Sequence, residues 1–500
     1  MVGQVKSLAE LGLTAQGGRQ AQVTGLAVDS REVKDGYLFA ALPGSRVHGG
    51  EFTQYALRMG AGAVLTDAKG AQIAAEFLSL SDAALIVAED PRQTLAFAAA
   101  LWFGAQPEVM VAVTGTNGKT SVSSFCRQIW SEMGFDAINL GTTGVEGAFQ
   151  APLAHTTPDP ITLHRVLAAA EAEGVTHAAM EASSHGLDQG RLDGVRIQAA
   201  GFTNFSQDHL DYHESFEAYF NAKAGLFDRV LPEDGVAVLN MDDPAVARVA
   251  EIARARGQDM IAVGRKPGCD LQLQAQRFEA TGQELRFDWK GQVQQVRLPL
   301  IGGFQAENVL LAAGLVIAAG ADAQEVFETL PRMRTVKGRM QLAATRSNGA
   351  AVFVDYAHTP DAVATALSAL RPHVMGRLVA IVGAGGDRDT AKRPLMGRAA
   401  AENADLVIVT DDNPRSEDPG TIRAAVMQGI AGAGGIDTAT EVGDRAEAIL
   451  RGVDLLGPGD ALLICGKGHE TGQIVGDDVF PFDDSEQASV AVSALDGGLA

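Results

Sequence analysis

The chain has 500 residues, 46% hydrophobic and 20% charged, with 62 acidic against 40 basic side chains and a net charge of −22. Such a length calls for about three domains at roughly 100–200 residues each, and the composition is that of a globular protein. The acidic balance argues against nucleic acid or an anionic membrane surface as a partner, while a local pocket can still be positive for an anionic substrate.

The opening MVGQVKSLAELG has no apolar signal core. The apolar stretches 95–103 and 309–319 fall well short of the ~20 residues that span a bilayer. A cytoplasmic protein without membrane insertion is expected. Cys126, Cys269 and Cys465 lie far apart and form no CxxC, so neither a disulfide framework nor a zinc site is indicated.

After an Ala-rich helical stretch, GAQPE at 104–108 marks a first boundary. The strand 109–114 follows and runs into Gly115-Thr116-Asn117-Gly118-Lys119-Thr120 and then a helix. Backbone N–H groups of such a loop, with the helix N-terminus, make an anion cradle. Lys119 would reach the β- and γ-phosphates and the Thr120 hydroxyl would bind Mg²⁺. The loop has two residues between its glycines where GxxxxGK[ST] has four, so an ordinary Gly-rich turn is the competing reading.

The strand 176–182 carries Glu181 at its C-terminal end, where ligands bind in open α/β sheets. The strand 198–205 leads to TNFSQDHLDYH, which gathers Asp208, His209, Asp211 and His213. Glu181 and His209 are candidates to ligate or position Mg²⁺, an ion that takes few protein ligands and keeps waters. In EAYFNAKAGLFD, Lys223 lies on a predicted helix among small and apolar residues. It is either a snorkelling surface lysine or a partly buried amine that is modified or binds an anion.

Strands are further predicted at 235–240 and 260–264, then, past a second boundary at 344–349 (ATRSNG), at 351–356, 378–383, 405–410 and 460–465. Strands alternating with helices imply parallel sheets covered on both faces. The expected class is α/β in three domains: residues 1–106, a central P-loop-type parallel-sheet domain at 107–343, and a C-terminal Rossmann-like domain at 344–500. The strand at 405–410 opens into TDDNPRSED, where one guanidinium, Arg415, stands among acids. It either offsets Asp411, Asp412 and Glu417 or serves a ligand.

These residues together resemble the Mur ligase family. TGTNGKTS, MEASSHG, TNFSQDHLDYH, FNAKAGLF, LNMDDP, GGFQAENVLLAAG, VKGRM, DYAHTPDA, GAGGDRDTAKRPLM, TDDNPR and GKGHE match in order across nearly the whole chain. DYAHTPDA, GGDRD and GKGHE in this arrangement look like the members that add the third amino acid to a cell-wall precursor. The resemblance implies an ADP-forming peptide ligase of peptidoglycan synthesis. ATP would phosphorylate the terminal carboxylate of UDP-N-acetylmuramoyl-L-alanyl-D-glutamate, and an amine would attack the acyl phosphate. Mg²⁺ and a carbamate on Lys223 would take part, with Thr120, Glu181, His209 and the carbamylated Lys223 at the metal.

Position by position, the resemblance puts Gly115 to Ser121, Asn308, Arg339 and Asp355 on ATP. Val28, Ser30, Ser45, Arg46, Val47, His155, Thr156, Thr157, Ser183, Gln189 and Arg191 would hold the UDP substrate. Departures are few: His155 stands where some relatives have asparagine, and Gln305 and Ser121 replace commoner residues. The third amino acid is meso-diaminopimelate or L-lysine in different subfamilies. A planar guanidinium pairs bidentately with the extra carboxylate of diaminopimelate and repels the ammonium of lysine. DNPR therefore favours diaminopimelate, with Arg388, Asp412, Asn413, Pro414, Arg415, Gly466 and Glu470 around it. A monomer acting on small molecules alone is expected. The rivals are the lysine-adding ligase, a folylpolyglutamate synthetase-like ligase, and a non-catalytic ATP-binding regulator.

Overall fold

The computed structural model describes residues 4–44, 46–206, 212–279 and 281–497. Three larger sheets, beside two two-stranded ones, organise the described residues. The first is four-stranded and parallel, from Gly25–Ala27, Tyr37–Ala40, Ala63–Thr66 and Ala84–Val87 in spatial order.

The central sheet has ten strands. Its parallel heart runs Asp259–Gly264, Val236–Asn240, Ala199–Phe202, Val109–Thr114, His177–Glu181, Ala137–Gly141. These strands are nearly all apolar because helices cover both faces. Lys119–Glu132 and Phe304–Ala318 close one face around Phe125, Trp130 and Leu310. The other face buries Met110, Leu163 and Phe202 beside the helix Pro160–Ala172. Strand order reverses about Val109–Thr114, since the chain places its next strands first on one side and then on the other. Ligand crevices open at such a switch point, outside the C-terminal strand ends.

The predicted strands are found within a few residues of their expected ends. An unpredicted feature is the antiparallel meander Leu271–Glu279, Gly282–Trp289, Gln292–Leu298 on the outer edge. Its second turn has Lys290 at φ 50° and Gly291 at φ 88°, the left-handed pair a two-residue hairpin needs.

The third sheet is six-stranded, ordered Gln341–Thr345, Ala351–Asp355, Ala461–Cys465, Leu378–Val382, Leu406–Val409, Ala439–Glu441, with only the first strand antiparallel. That first strand spans the expected junction at 343/344. The preceding segment is strapped to the phosphate-loop helix. Gln128 Nε2 donates to the Arg334 carbonyl at 3.1 Å, the Arg334 N–H donates to Gln128 Oε1 at 2.7 Å, and Arg332 pairs with Glu132 at 2.6 Å. Among the described residues no helix is long and apolar enough to cross a membrane.

Candidate active site

Gly115 leaves its strand at φ 141°, and a Cβ there would lie 1.9 Å from Thr203 Oγ1. Only glycine lets the loop press against the neighbouring strand end. There the Thr116 N–H donates to the Asn204 carbonyl at 2.9 Å and the Asn117 N–H to Asn204 Oδ1 at 2.9 Å. Gly118, at φ 87°, abuts Asn308: a Cβ would meet its Oδ1 at 2.7 Å. The helix then begins at Lys119, whose Nζ donates to the carbonyls of Gly115 (3.0 Å) and Thr116 (2.9 Å).

Lys223 is the buried amine of the two readings, 1% exposed on the helix Phe216–Gly225. Its Nζ donates to the same Gly115 carbonyl at 2.6 Å and lies 4.6 Å from the Tyr219 ring centroid. Two lysines from distant segments thus meet at one carbonyl of the phosphate loop.

Glu181, also 1% exposed, ends its strand beside them. Its Oε2 accepts from the hydroxyls of Thr120 (3.0 Å) and Thr142 (3.3 Å), and its Oε1 from the Thr142 N–H (2.8 Å). Gly141 makes room: a Cβ there would sit 2.0 Å from Oε1. A buried carboxylate with two hydroxyls around it is a hard, all-oxygen donor set that suits Mg²⁺. Arg339 reaches in from the third sheet's side, with Nη2 3.2 Å from Thr120 Oγ1 and its guanidinium carbon 4.5 Å from the Tyr356 ring centroid. His209, Asp208 and Asp211 lie outside the described residues. Among the described residues no group of three or more His, Cys, Asp or Glu is placed to hold a metal.

A cavity of about 770 Å³ joins these groups. Its walls include Thr116 to Ser121, His155, Thr156, Thr157, Glu181, Ser183, Arg191, Lys223, Asn308, Arg339 and Asp355. Thr157 Oγ1 donates to the Glu181 carbonyl at 2.9 Å, and Arg191 holds the Thr157 carbonyl at 2.6 Å and Gln189 Oε1 at 2.8 Å. Asp355 has a second duty. Its carboxylate accepts from the Met340 N–H (2.6 Å) and the Ala357 N–H (2.9 Å), fixing the turn after Arg339. Burial raises its pKa, opposed by Arg339 and those two N–H groups. Thr142, Gly141 and Tyr356 were not anticipated; GTTG after a strand was the available signal. Asp361 was also missed: it accepts from Ser206 Oγ at 3.2 Å across the two sheets.

Val28, Ser30, Arg46 and Val47 follow the first two strands of the N-terminal sheet and are not in the cavity wall; Ser45 lies outside the described residues. Val28 and Val47 are exposed, at 38% and 45%.

A further cluster forms where three adjacent strands of the third sheet end. The GGDRD and DNPR loops are laced together: the Gly386 N–H donates to the Asn413 carbonyl at 2.9 Å and Arg415 Nη1 to the Gly386 carbonyl at 2.8 Å. The hairpin Gly472–Val475 and Asp478–Pro481 buttresses Arg415, whose N–H donates to the Ile474 carbonyl at 3.1 Å. Asp387 and Arg415 are both left-handed, at φ 53° and 50°, a strain that is characteristic of functional loops.

The acids around Arg415 have other partners. Asp411 pairs with Arg423, and Glu417 with Arg393 at 2.8 Å, which holds its carboxyl below the usual range. Asp418 caps the helix Pro419–Gly432, and Asp412 lies near Arg445. Arg415 makes no ion pair with them among the described residues. Arg388 is exposed and donates to the Asp387 carbonyl at 3.1 Å. Asn413 Nδ2 donates to Glu470 Oε2 at 2.9 Å, and Gly466, at φ 117°, passes so close to Asp412 that a Cβ would meet Oδ2 at 2.4 Å.

The family of the Mur ligase catalytic domain matches residues 22–101, the Mur ligase middle domain 113–316, and the Mur ligase glutamate ligase domain 338–468. The chain is 48% identical over 477 residues to the UDP-N-acetylmuramoyl-L-alanyl-D-glutamate--2,6-diaminopimelate ligase of Bradyrhizobium diazoefficiens, covering 95% of both chains. It is 47% identical over 481 residues to the enzyme of that name from Caulobacter vibrioides, covering 95% of this chain and 96% of that one. A solved structure of a ligase of the same name superimposes with a TM-score of 0.71 at 34% identity, over 98% of this chain and 99% of the other. Mycobacterium tuberculosis folylpolyglutamate synthase bound to ADP shares the fold, with a TM-score of 0.62 at 21% identity over 75% of this chain and 92% of the other.

Proposed function

The chain belongs to the Mur ligase family, and we propose that it joins meso-2,6-diaminopimelate to UDP-N-acetylmuramoyl-L-alanyl-D-glutamate at the expense of ATP. The observation that carries the choice of acceptor is Arg415, a guanidinium at a strand end with no carboxylate partner among the described residues. A diacid acceptor supplies that partner. Glu470, one-third exposed in the same cluster, suits the acceptor's distal ammonium.

The γ-phosphoryl group passes to the dipeptide's terminal carboxylate oxygen, releasing ADP. The acceptor's amine then attacks the acyl carbon, phosphate leaves, and one proton is lost from nitrogen. Such a reaction needs positioning and charge neutralisation more than covalent catalysis. The loop amides and Lys119 take the phosphates, and Asn308 takes the adenine. Arg339 faces the transferring group, and Thr157, Gln189 and Arg191 hold the peptide. Val28, Ser30, Arg46 and Val47, together with Ser45, take the uridine end. Thr120 and Glu181, with His209, would hold Mg²⁺, which would supply positive charge to the phosphates. Carbamylation of Lys223 exchanges a buried ammonium for a carboxylate and leaves one N–H for the Gly115 carbonyl.

On this reading unit 1–106 takes the uridine end, unit 107–343 takes ATP and the peptide, and unit 344–500 takes the acceptor. We infer a cytoplasmic monomer acting on small molecules, a reading supported by the UDP-linked substrate in its relatives' name.

Phosphate release with ATP, Mg²⁺ and the UDP-dipeptide tests the reading, comparing diaminopimelate with L-lysine. Strong preference for diaminopimelate is expected; equal use of lysine, or none of either, overturns it. For Lys223, ¹³C NMR under ¹³CO₂ is expected to show one carbamate resonance that Lys223→Ala removes. A spectrum unchanged by that substitution rules the carbamate out.

A further inference from the structure

Lys467 lies within GKGHE, between the two residues assigned to the acceptor, and has no role in the reaction as described. Its side chain is fully buried, at 0% exposure. A buried ammonium is costly unless paired and hydrogen-bonded. Here Nζ donates to Asn413 Oδ1 at 3.2 Å and to Glu470 Oε2 at 3.0 Å. Asn413 Nδ2 donates to the same Glu470 oxygen at 2.9 Å, and Asn413 Oδ1 also accepts from the Ile474 N–H at 2.9 Å. The triangle Lys467–Asn413–Glu470 therefore ties together the DNPR loop, the GKGHE loop and the hairpin behind Arg415.

The triangle treats the two oxygens of Glu470 differently. Oε2 accepts both internal bonds, while Oε1 makes none among the described residues. Without Lys467 the carboxylate would keep one neutral amide bond and regain its rotamer freedom, which is an entropic cost at the moment of binding.

We propose that Lys467 is a positioning residue for acceptor choice: it fixes Glu470 so that Oε1 is presented to the acceptor's distal ammonium. The proposal rests on the diaminopimelate reading above for the acceptor's identity, but not for the coupling between 467 and 470.

Phosphate release at saturating ATP and UDP-dipeptide, with diaminopimelate varied, tests it on Lys467→Met, Glu470→Gln and the double variant. Lys467→Met is expected to raise the acceptor's KM at least about tenfold while kcat and the KM values for ATP and UDP-dipeptide stay within about threefold. That split is what lost ground-state positioning produces. The double variant is expected to be no worse than Glu470→Gln alone, because residues acting through one another are non-additive. Multiplying effects in the double variant, an unmoved acceptor KM, or equal losses for all three substrates would overturn the proposal. Lys467→Gln, which keeps an N–H of shorter reach, is expected to fall between wild type and Lys467→Met, and carries the same test if the methionine variant is insoluble. Wild-type enzyme that uses another acceptor would defeat the diaminopimelate reading, and the double-variant comparison would then be made with that acceptor.

Discussion

Arg415→Ala is expected to cost about 2–5 kcal/mol in kcat/KM for diaminopimelate, the usual loss when one partner of a desolvated charge pair is removed. That is roughly 30-fold to several thousandfold. KM for ATP and for UDP-dipeptide should stay within about threefold, because Arg415 is absent from the cavity wall that holds the phosphate loop. The backbone bonds of residue 415 to Ile474 and Gly476 do not depend on its side chain, so the loop keeps its course. Arg415→Lys should recover little, since an ammonium does not offer the two parallel bonds of a guanidinium. Steady-state kinetics on the three substrates decide it. An unchanged acceptor preference in Arg415→Ala would sink the assignment of this residue.

The largest expected loss of stability is at Asp484. Its carboxylate and Arg445 form a two-bond pair at 2.7 Å each, with both side chains at 0% exposure. Arg445 also donates to the carbonyls of Cys465 at 2.9 Å and Asp411 at 3.3 Å. The pair joins two helices, Arg445–Asp454 and Asp484–Leu495, to the strand ends that feed the DNPR and GKGHE loops. Asp484→Ala leaves a guanidinium buried without its counter-charge, which costs about 3–5 kcal/mol. Urea denaturation followed by a probe in residues 344–500 should show the midpoint fall accordingly. Arg445→Met with Asp484→Leu should recover much of the loss, because apolar pairs of similar volume replace buried ion pairs well. A midpoint that does not move in Asp484→Ala would mean that the charge is satisfied elsewhere.

The sequence is most legible where strands are parallel and covered on both faces. There the predicted strands 109–114 and 460–465 hold the apolar runs 109–113 and 461–465 just before a glycine loop, and the structure has Val109–Thr114 and Ala461–Cys465. The N-terminal strands were harder, because Gly25–Ala27 and Tyr37–Ala40 are three and four residues long and carry too little pattern. The meander's first strand, Leu271–Glu279, has exposed positions and three Gln and one Arg among its nine residues, so it lacked a continuous apolar run.

In the site, motif residues were visible because their types are chemically demanding. Thr142 was not, since half of what it gives Glu181 is a backbone N–H that nearly any residue has. Lys467 hid for another reason: its partner Asn413 is 54 positions away. Arg415 could be read either way until the ion pairs of its acidic neighbours were known.

The first two bases of the Gly141 codon alone decide whether the residue stays glycine. Any glycine codon is one base away from several other residues, and every one of them carries a Cβ. That atom would stand 2.0 Å from Glu181 Oε1 and 2.6 Å from its Cγ. The carboxylate is buried and held by Thr120 and Thr142, so it has to leave those bonds to make room. Position 141 therefore has no neutral neighbour among the other amino acids: whichever of those two bases changes, the first atom that has to move is an oxygen of the buried Glu181 carboxylate.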